Sequence, residues 1–256
     1  MMKDTFIPWR WSKRADNMLS SPPEQRPRPF IGLEVLSVFI YNLSMAVSSL
    51  KIKTILQTLR DRYPVVKTQL EHETPFQLLV ATILSAQCTD NQVNKVSKTL
   101  FHAYPDSNAL AHAPLSQIKK IIYSTGFYNN KAKNIKACAM ALIMEYEGVV
   151  PKDMDKLVKL PGVGRKTANV VLSAAFGQDT IVVDTHVLRI SNRLGLTDKK
   201  DPVKIEYELM DIIPRKAWND FSLQLIYFGR DICDAKKPRC LECPLLKICP
   251  SGKKSR

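Results

Sequence analysis

From Leu50 onward, apolar positions recur at helical spacing, and the recurrence resets every ten to fifteen residues. Ile52, Ile55, Leu56 and Leu59 fall at i, i+3, i+4, i+7, which predicts one amphipathic helix. Phe76, Leu79, Val80, Ile83 and Leu84 predict a second, with Pro75 at its first position. Val93, Val96, Leu100 and Phe101 predict a third, stopped by Pro105. Further helices are predicted over 115–123, 131–146, 153–159, 165–176, 185–193, 202–212 and 218–228. Ile181, Val182 and Val183 form the one strand-like run, too short to anchor a sheet, so the fold class is all-α. The first fifty residues differ. Ser20–Pro29 is rich in Pro and Arg and reads as extended, and a mostly apolar stretch follows from Leu33 to Val47. Two readings stay open for this leader: a poorly ordered extension, or an over-extended reading frame with Met45 as the natural start.

Composition narrows the partners. The 256 residues carry 38 Lys+Arg against 24 Asp+Glu, a net charge of +14 that draws in polyanions, nucleic acid first. The hydrophobic fraction of 45% excludes wholesale disorder. No run reaches the ~18 apolar residues of a membrane span, so no membrane partner is expected. A cytoplasmic, DNA-associated location is expected, not secretion.

Leu160-Pro161-Gly162-Val163-Gly164 separates two helical segments. Pro161 is expected to end the first. The two glycines permit a tight turn and close backbone approach to another molecule. Arg165 and Lys166 then open a helix whose first N–H groups lack intrahelical partners, an anion site suited to phosphate. An ordinary helical corner fits the same five residues. Eighteen positions beyond Lys166 stands Asp184, within Val183-Asp184-Thr185-His186, where it could serve as a plain N-cap. Cys233-x6-Cys240-x2-Cys243-x5-Cys249 reads as a metal-binding loop, for Zn²⁺ or for an iron–sulfur cluster. Lys236, Lys237, Arg239 and Lys247 are interleaved with the thiols and suited to grip phosphates. Cys88 and Cys138 read as small buried residues.

Taken in order, LSAQCTD (84–90), STGFYNNKA (124–132), LPGVGRKTANVVL (160–172), VDTH (183–186) and the cysteine cluster resemble the endonuclease III family of helix-hairpin-helix DNA glycosylases. The resemblance spans roughly residues 50–250. It implies a two-domain helix-hairpin-helix fold: a six-helix domain over 68–178, and an iron–sulfur domain joining 50–67 to 179–256, with 1–49 outside both. It implies a bifunctional glycosylase and abasic-site lyase that removes oxidised pyrimidines from duplex DNA, its target base flipped out, acting as a monomer.

In that reading Lys166 is the nucleophile. Its amine must be neutral to attack, and the helix N-terminus, Arg165 and partial burial are all expected to favour that form. Asp184 stabilises the cationic sugar, and the four cysteines hold a [4Fe-4S] cluster, with Zn²⁺ the lesser choice. Gln87 would fill the vacated space, Phe127 would act as a wedge, and Gly162, Val163, Gly164 and Arg165 would hold the backbone. Each has a plainer reading: Lys166 as one surface lysine among many, Phe127 as core, His186 as structural, Asp90 as the cap of a helix near Asn91. Two other functions remain open, a monofunctional mismatch glycosylase and a non-catalytic DNA-binding module.

Overall fold

Two apolar cores, each assembled from the helical stripes just described, organise the molecule. The computed structural model describes residues 49–253, and those from Leu50 onward form one compact unit. The leader before residue 49 lies outside the described residues. The first helix, α1, runs over 49–62. It is followed by α2 (Pro75–Leu84), α3 (Asp90–Ala103), α4 (Ser107–His112), α5 (Leu115–Ile122), α6 (Tyr128–Tyr146), α7 (Met154–Leu157) and α8 (Arg165–Phe176). The remaining helices are α9 (Thr185–Leu194), α10 (Pro202–Ile212), α11 (Trp218–Asp231) and α12 (Pro250–Lys253). Short 3₁₀ turns precede α6 and α11 and punctuate the cysteine loop. No strand occurs among the described residues.

The first core is drawn from α2 to α8. Leu78, Leu79, Leu84, Leu100, Ile118, Ile135, Leu142 and Val171 are all fully buried in it. α2 lies at its centre: nine of its ten residues are buried, Thr74 caps it through Gln77 N, and Pro75 takes N1. The second core joins α1 to α9, α10 and α11, through Ile55, Leu59, Ile190, Leu209, Phe221 and Phe228. The Ile181–Val183 run carries no helix or strand, and Ile181 and Val183 belong to this second core. The run's polar groups are met by side chains, Asn169 Nδ2 donating to Ile181 C=O and Val182 N donating to Ser222 Oγ, so it needs no sheet.

Most helix bounds follow the periodicity, with instructive departures. α4 carries too few apolar positions to register in the pattern, and is started by Asp106, which accepts from Ala109 N at 2.8 Å. α6 begins at Tyr128, three residues early, because Gly126 and Phe127 turn the chain sharply with φ +68° and +47°. α7 ends at Leu157, so a short turn intervenes and Pro161 does not itself end the helix. α11 continues to Asp231. No described helix is long and apolar enough to cross a membrane.

Candidate active site

The hairpin is built from inside out. Val163 points into the first core and its N–H donates to Leu160 C=O at 3.1 Å, so neither group is available to a ligand. Gly162 has φ +79°, and a Cβ there would sit 2.9 Å from Asn134 Cβ, so the fold itself requires glycine. Gly164 is different. Its φ is −93° and a Cβ would meet nothing within 4 Å, so nothing inside the chain demands a glycine at this position. As N-cap of α8 it offers no side chain to the first turn, leaving the N–H groups of Arg165, Lys166 and Thr167 turned to solvent or ligand.

Arg165 and Lys166, adjacent in sequence, have separate fates. The Arg165 guanidinium makes a two-point contact with Glu206 of α10, at 2.8 and 2.7 Å, and lies 5.1 Å from the Tyr207 ring centroid. Glu206 is a buried carboxylate, its side chain 4% exposed, and its hydrogen bond holds the Arg165 pKa above its ordinary value. Arg165 can therefore offer DNA its backbone N–H, while its cationic head is spent on Glu206. Its charge is also compensated there, which removes it as a bare cation beside Lys166. Lys166 is exposed, and its Nζ has no hydrogen bond or ion pair among the described residues.

Lys166 and Asp184 line the same pocket, so the structure brings together these two residues from the two cores. Asp184 is the N-cap of α9. Its Oδ1 accepts from both His186 N (2.8 Å) and Val187 N (2.9 Å), while Oδ2 has no partner among the described residues. One oxygen thus fixes the carboxylate and the other is left for chemistry. The cap reading and the catalytic reading describe the same rigid group. His186 supports α9 from behind: its Nδ1 meets Arg189 at 3.1 Å, and burial pushes its pKa below the ordinary value.

The rest of the pocket was less legible. Ser85 and Cys88 from the loop after α2, Tyr227 and Arg230 from α11, and Asn219 complete the wall. Cys88 is half-buried in that wall, not core, whereas Cys138 is fully buried and its thiol is pushed up to about 12. Asp90 does not cap α3. Thr89 does, through Gln92 N, and Asp90 instead pairs with Arg230 at 2.8 Å. That partner lies 140 residues away, beyond the reach of any local pattern.

Gln87 and Phe127 stand on neighbouring loops at the surface. Both are non-glycine residues in the left-handed region, with φ of 53° and 47°. Phe127 is 65% exposed, which excludes core packing. The N-terminus of α3, just after the Gln87 loop, is tied to the turn before Phe127 by Gln92 Nε2 donating to Ser124 Oγ at 2.7 Å. Exposed aromatic surface held in strained backbone is a hallmark of a residue kept for contact with something else.

The four cysteines Cys233, Cys240, Cys243 and Cys249 are free thiols lining one cavity of ≈ 130 Å³. Their sulfurs fit an electron-rich thiolate group. Arg193 Nη1 donates to Cys233 Sγ at 3.3 Å and Gly252 N donates to Cys249 Sγ at 3.4 Å. Burial pushes the Cys243 thiol up, and the other three cysteines add to that shift. Of the loop's cations, Arg239 is occupied by Asp231 and Glu242, while Lys236, Lys237 and Lys247 remain exposed.

The model of the HhH-GPD superfamily of base excision DNA repair proteins matches residues 80–215. Endonuclease III of Synechocystis is 51% identical over 212 residues, covering 82% of this chain and 97% of its own. Among solved structures, a non-covalent endonuclease III–DNA complex is similar with a TM-score of 0.78 at 47% identity, covering 81% of this chain and 97% of that one. A trapped endonuclease III–DNA covalent intermediate, an estranged-adenine complex, gives the same TM-score and identity over 81% and 98%. On hairpin, pocket and cysteine loop together, the chain belongs to the endonuclease III family.

Proposed function

We propose that this protein is a bifunctional DNA glycosylase and abasic-site lyase of base excision repair, acting on oxidised pyrimidines in duplex DNA. The observation that carries it is the pairing across one pocket of an unencumbered amine, Lys166, with a carboxylate, Asp184, that has one oxygen in reserve. The Lys166 amine attacks C1′ of the flipped nucleotide, the C1′–base bond breaks, and the base leaves with its electron pair and takes up a proton. Asp184 Oδ2 stabilises the cationic sugar as that bond opens. The sugar ring then opens to an iminium between Nζ and C1′. Loss of a C2′ proton expels the 3′ phosphate by β-elimination, and water releases Lys166.

Gly164 and the N–H groups of α8 receive a phosphate beside the lesion, since the open space at Gly164 admits close backbone approach. Gln87 enters the vacated stack and Phe127 wedges against the opposite strand. The two cores support a division into a six-helix domain (68–178) and a second domain (50–67 with 179–256), with the pocket between them. Cys233, Cys240, Cys243 and Cys249 would hold a [4Fe-4S] cluster. The C-x6-C-x2-C-x5-C spacing, similar to the iron–sulfur loop of the endonuclease III family, supports that cluster over Zn²⁺. When bound, the cluster supplies structure to its loop and lets the exposed lysines meet phosphate; the catalytic groups lie elsewhere.

Borohydride trapping on a duplex carrying a thymine glycol tests the reading, with Lys166→Gln alongside. The wild type should give a covalent protein–DNA adduct, and Lys166→Gln should bind DNA and give none. A Lys166→Gln preparation that still traps would show that the nucleophile is elsewhere. An absence of adduct from metal-replete wild type would favour the monofunctional mismatch glycosylase.

A further inference from the structure

The proposed chemistry leaves one buried charge unused. Lys131 lies in the first turn of α6, only 5% exposed, and its Nζ donates to the buried C=O of Thr125 at 2.8 Å. Its backbone N–H donates to Phe127 C=O at 3.1 Å. One residue therefore grips the chain on both sides of Gly126, at Thr125 and at Phe127. Thr125 is itself fixed, its Oγ1 donating to Ile122 C=O at 2.8 Å. Cys88, next to Gln87 on the neighbouring loop, is the titratable group that faces this ammonium.

This is an expensive place for a cation. Burial disfavours the ammonium and lowers its pKa, and the N-terminal turn of a helix repels positive charge. A methionine would fill the same space without either cost. What the lysine adds is a donor long enough to reach Thr125 C=O. The segment it holds is strained: Phe127 has φ +47° and exposes 65% of its surface, so its side chain contributes little to holding that backbone. A left-handed non-glycine residue persists only where its surroundings over-determine it.

We propose that Lys131 is a positioning residue for duplex opening, an internal strut that holds Phe127 in its outward, left-handed conformation ready to enter the stack. This rests on the reading of the chain as a base-flipping glycosylase, with Phe127 as its wedge. Lys131 touches no substrate atom. It acts through Phe127, and its effect is confined to substrates whose base must be extruded from a paired stack.

The full-length, metal-replete protein is compared with Lys131→Met, Phe127→Ala and the double variant on two duplexes. One carries a thymine glycol opposite adenine. The other carries a preformed abasic site facing a second abasic site, with neither a base to extrude nor a partner to hold. Lys131→Met should lose roughly tenfold in kcat/KM on the first and stay within about twofold on the second. The double variant should lose no more than Phe127→Ala alone, because both changes remove the same element. Equal losses on the two duplexes, no loss on either, or losses that multiply in the double variant would each overturn the proposal. If Lys131→Met does not fold, Lys131→Gln, whose amide stops one bond short of Thr125 C=O, carries the same expectations. A wild type inactive on both duplexes would sink the proposed function itself, whereas an active wild type matched by Lys131→Met sinks only the strut.

Discussion

The two cores solve the same problem by different means. The first is closed largely by hydrocarbon: α2 is buried on nearly every side and its neighbours pack Leu, Ile and Val around it. The second has an equally apolar centre but ends in a loop that adds little to it: Leu245 is buried there, and Cys233, Cys243, Ile248 and Cys249 pack against it only partly buried. No other residue across 233–249 is buried. The loop is held by polar contacts instead: Arg193 donates to the carbonyls of Asp234 (2.6 Å) and Ala235 (2.8 Å), and Arg189 to that of Cys233 (2.9 Å). Seventeen residues with so little apolar burial do not offset their own ordering entropy, and the four thiols lining one cavity mark where the proposed cluster would do so. The lesson concerns the site. Lys166 projects from a scaffold that stands by packing, and Asp184 from one whose far end depends on sulfur.

The largest expected effect breaks the second core and spares the first. Cys243→Ala, or removal of the cluster with an oxidant and chelator, should strip the order from 233–249 and lower Tm by on the order of 10 °C. Hydrogen exchange would show whether the damage respects the boundary. Amides of α2 and α6 should keep their protection while those of α9 and α11 lose it. Uniform loss would mean that the cores are one cooperative unit.

Next in size is a change that separates the two duties of Asp184. Asp184→Asn keeps a good N-cap, so stability should move by only a few tenths of a kcal/mol, while turnover falls by about 10²–10³. Asp184→Ala should lose turnover equally and about 1 kcal/mol of stability as well. Single-turnover kinetics beside thermal melting read both. If Asn and Ala melt alike, the Oδ1 bonds to His186 and Val187 contribute little, and the rigidity claimed for the carboxylate is unfounded.

The tie between the cores comes third. Glu206→Ala leaves the Arg165 guanidinium without its buried partner. The cost should be about 2 kcal/mol, below the usual range for a broken buried pair because Arg165 is 31% exposed and can rehydrate. Glu206→Gln should lose less, since it keeps a hydrogen bond. Denaturant melts of the two variants measure the difference, and equal losses would show that charge, not the bond, holds the pair.

These expectations also mark what the sequence could and could not reveal. Apolar spacing located ten of the twelve described helices, because burial on one face imposes its period on the chain, and it missed α4 and α12, which are too short to display one. Local spacing singles out the hairpin glycines, Lys166, Asp184 and the cysteines, and the structure places Lys166 and Asp184 on one pocket and the four cysteines on one cavity. Arg165 and Asp90 were not legible in that way. Each was read from its neighbours as a phosphate contact and a cap, and each is claimed by a partner far along the chain, Glu206 and Arg230. Cys88 was read as buried on residue type, although its place in the pocket wall depends on how α2 meets α8. Lys131 stands in the STGFYNNKA motif, but nothing in the sequence marks it as buried: its burial follows from the turn at Gly126, which no periodicity encodes.

The smallest effect tests whether the second core has a polar weakness at its catalytic end as well as at its loop. His186 is held below its ordinary pKa chiefly by burial, against the opposing pull of Asp184, with Arg189 adding to the depression. The folded state therefore binds fewer protons than the unfolded chain once the pH drops below about 6.5. The stability tied to neutral His186 is complete above that pH and is lost as pH falls through the depressed folded value. Protonation would also set an imidazolium against the Arg189 guanidinium that now donates to Nδ1 at 3.1 Å. Because the ring is half-buried the loss should be small, and His186→Gln, which stays neutral, should flatten it. Thermal melts between pH 7.5 and about 5 decide the point. A wild-type slope that survives in His186→Gln would assign the acid sensitivity to other groups, and the contrast between the cores would then rest on the cysteine loop alone.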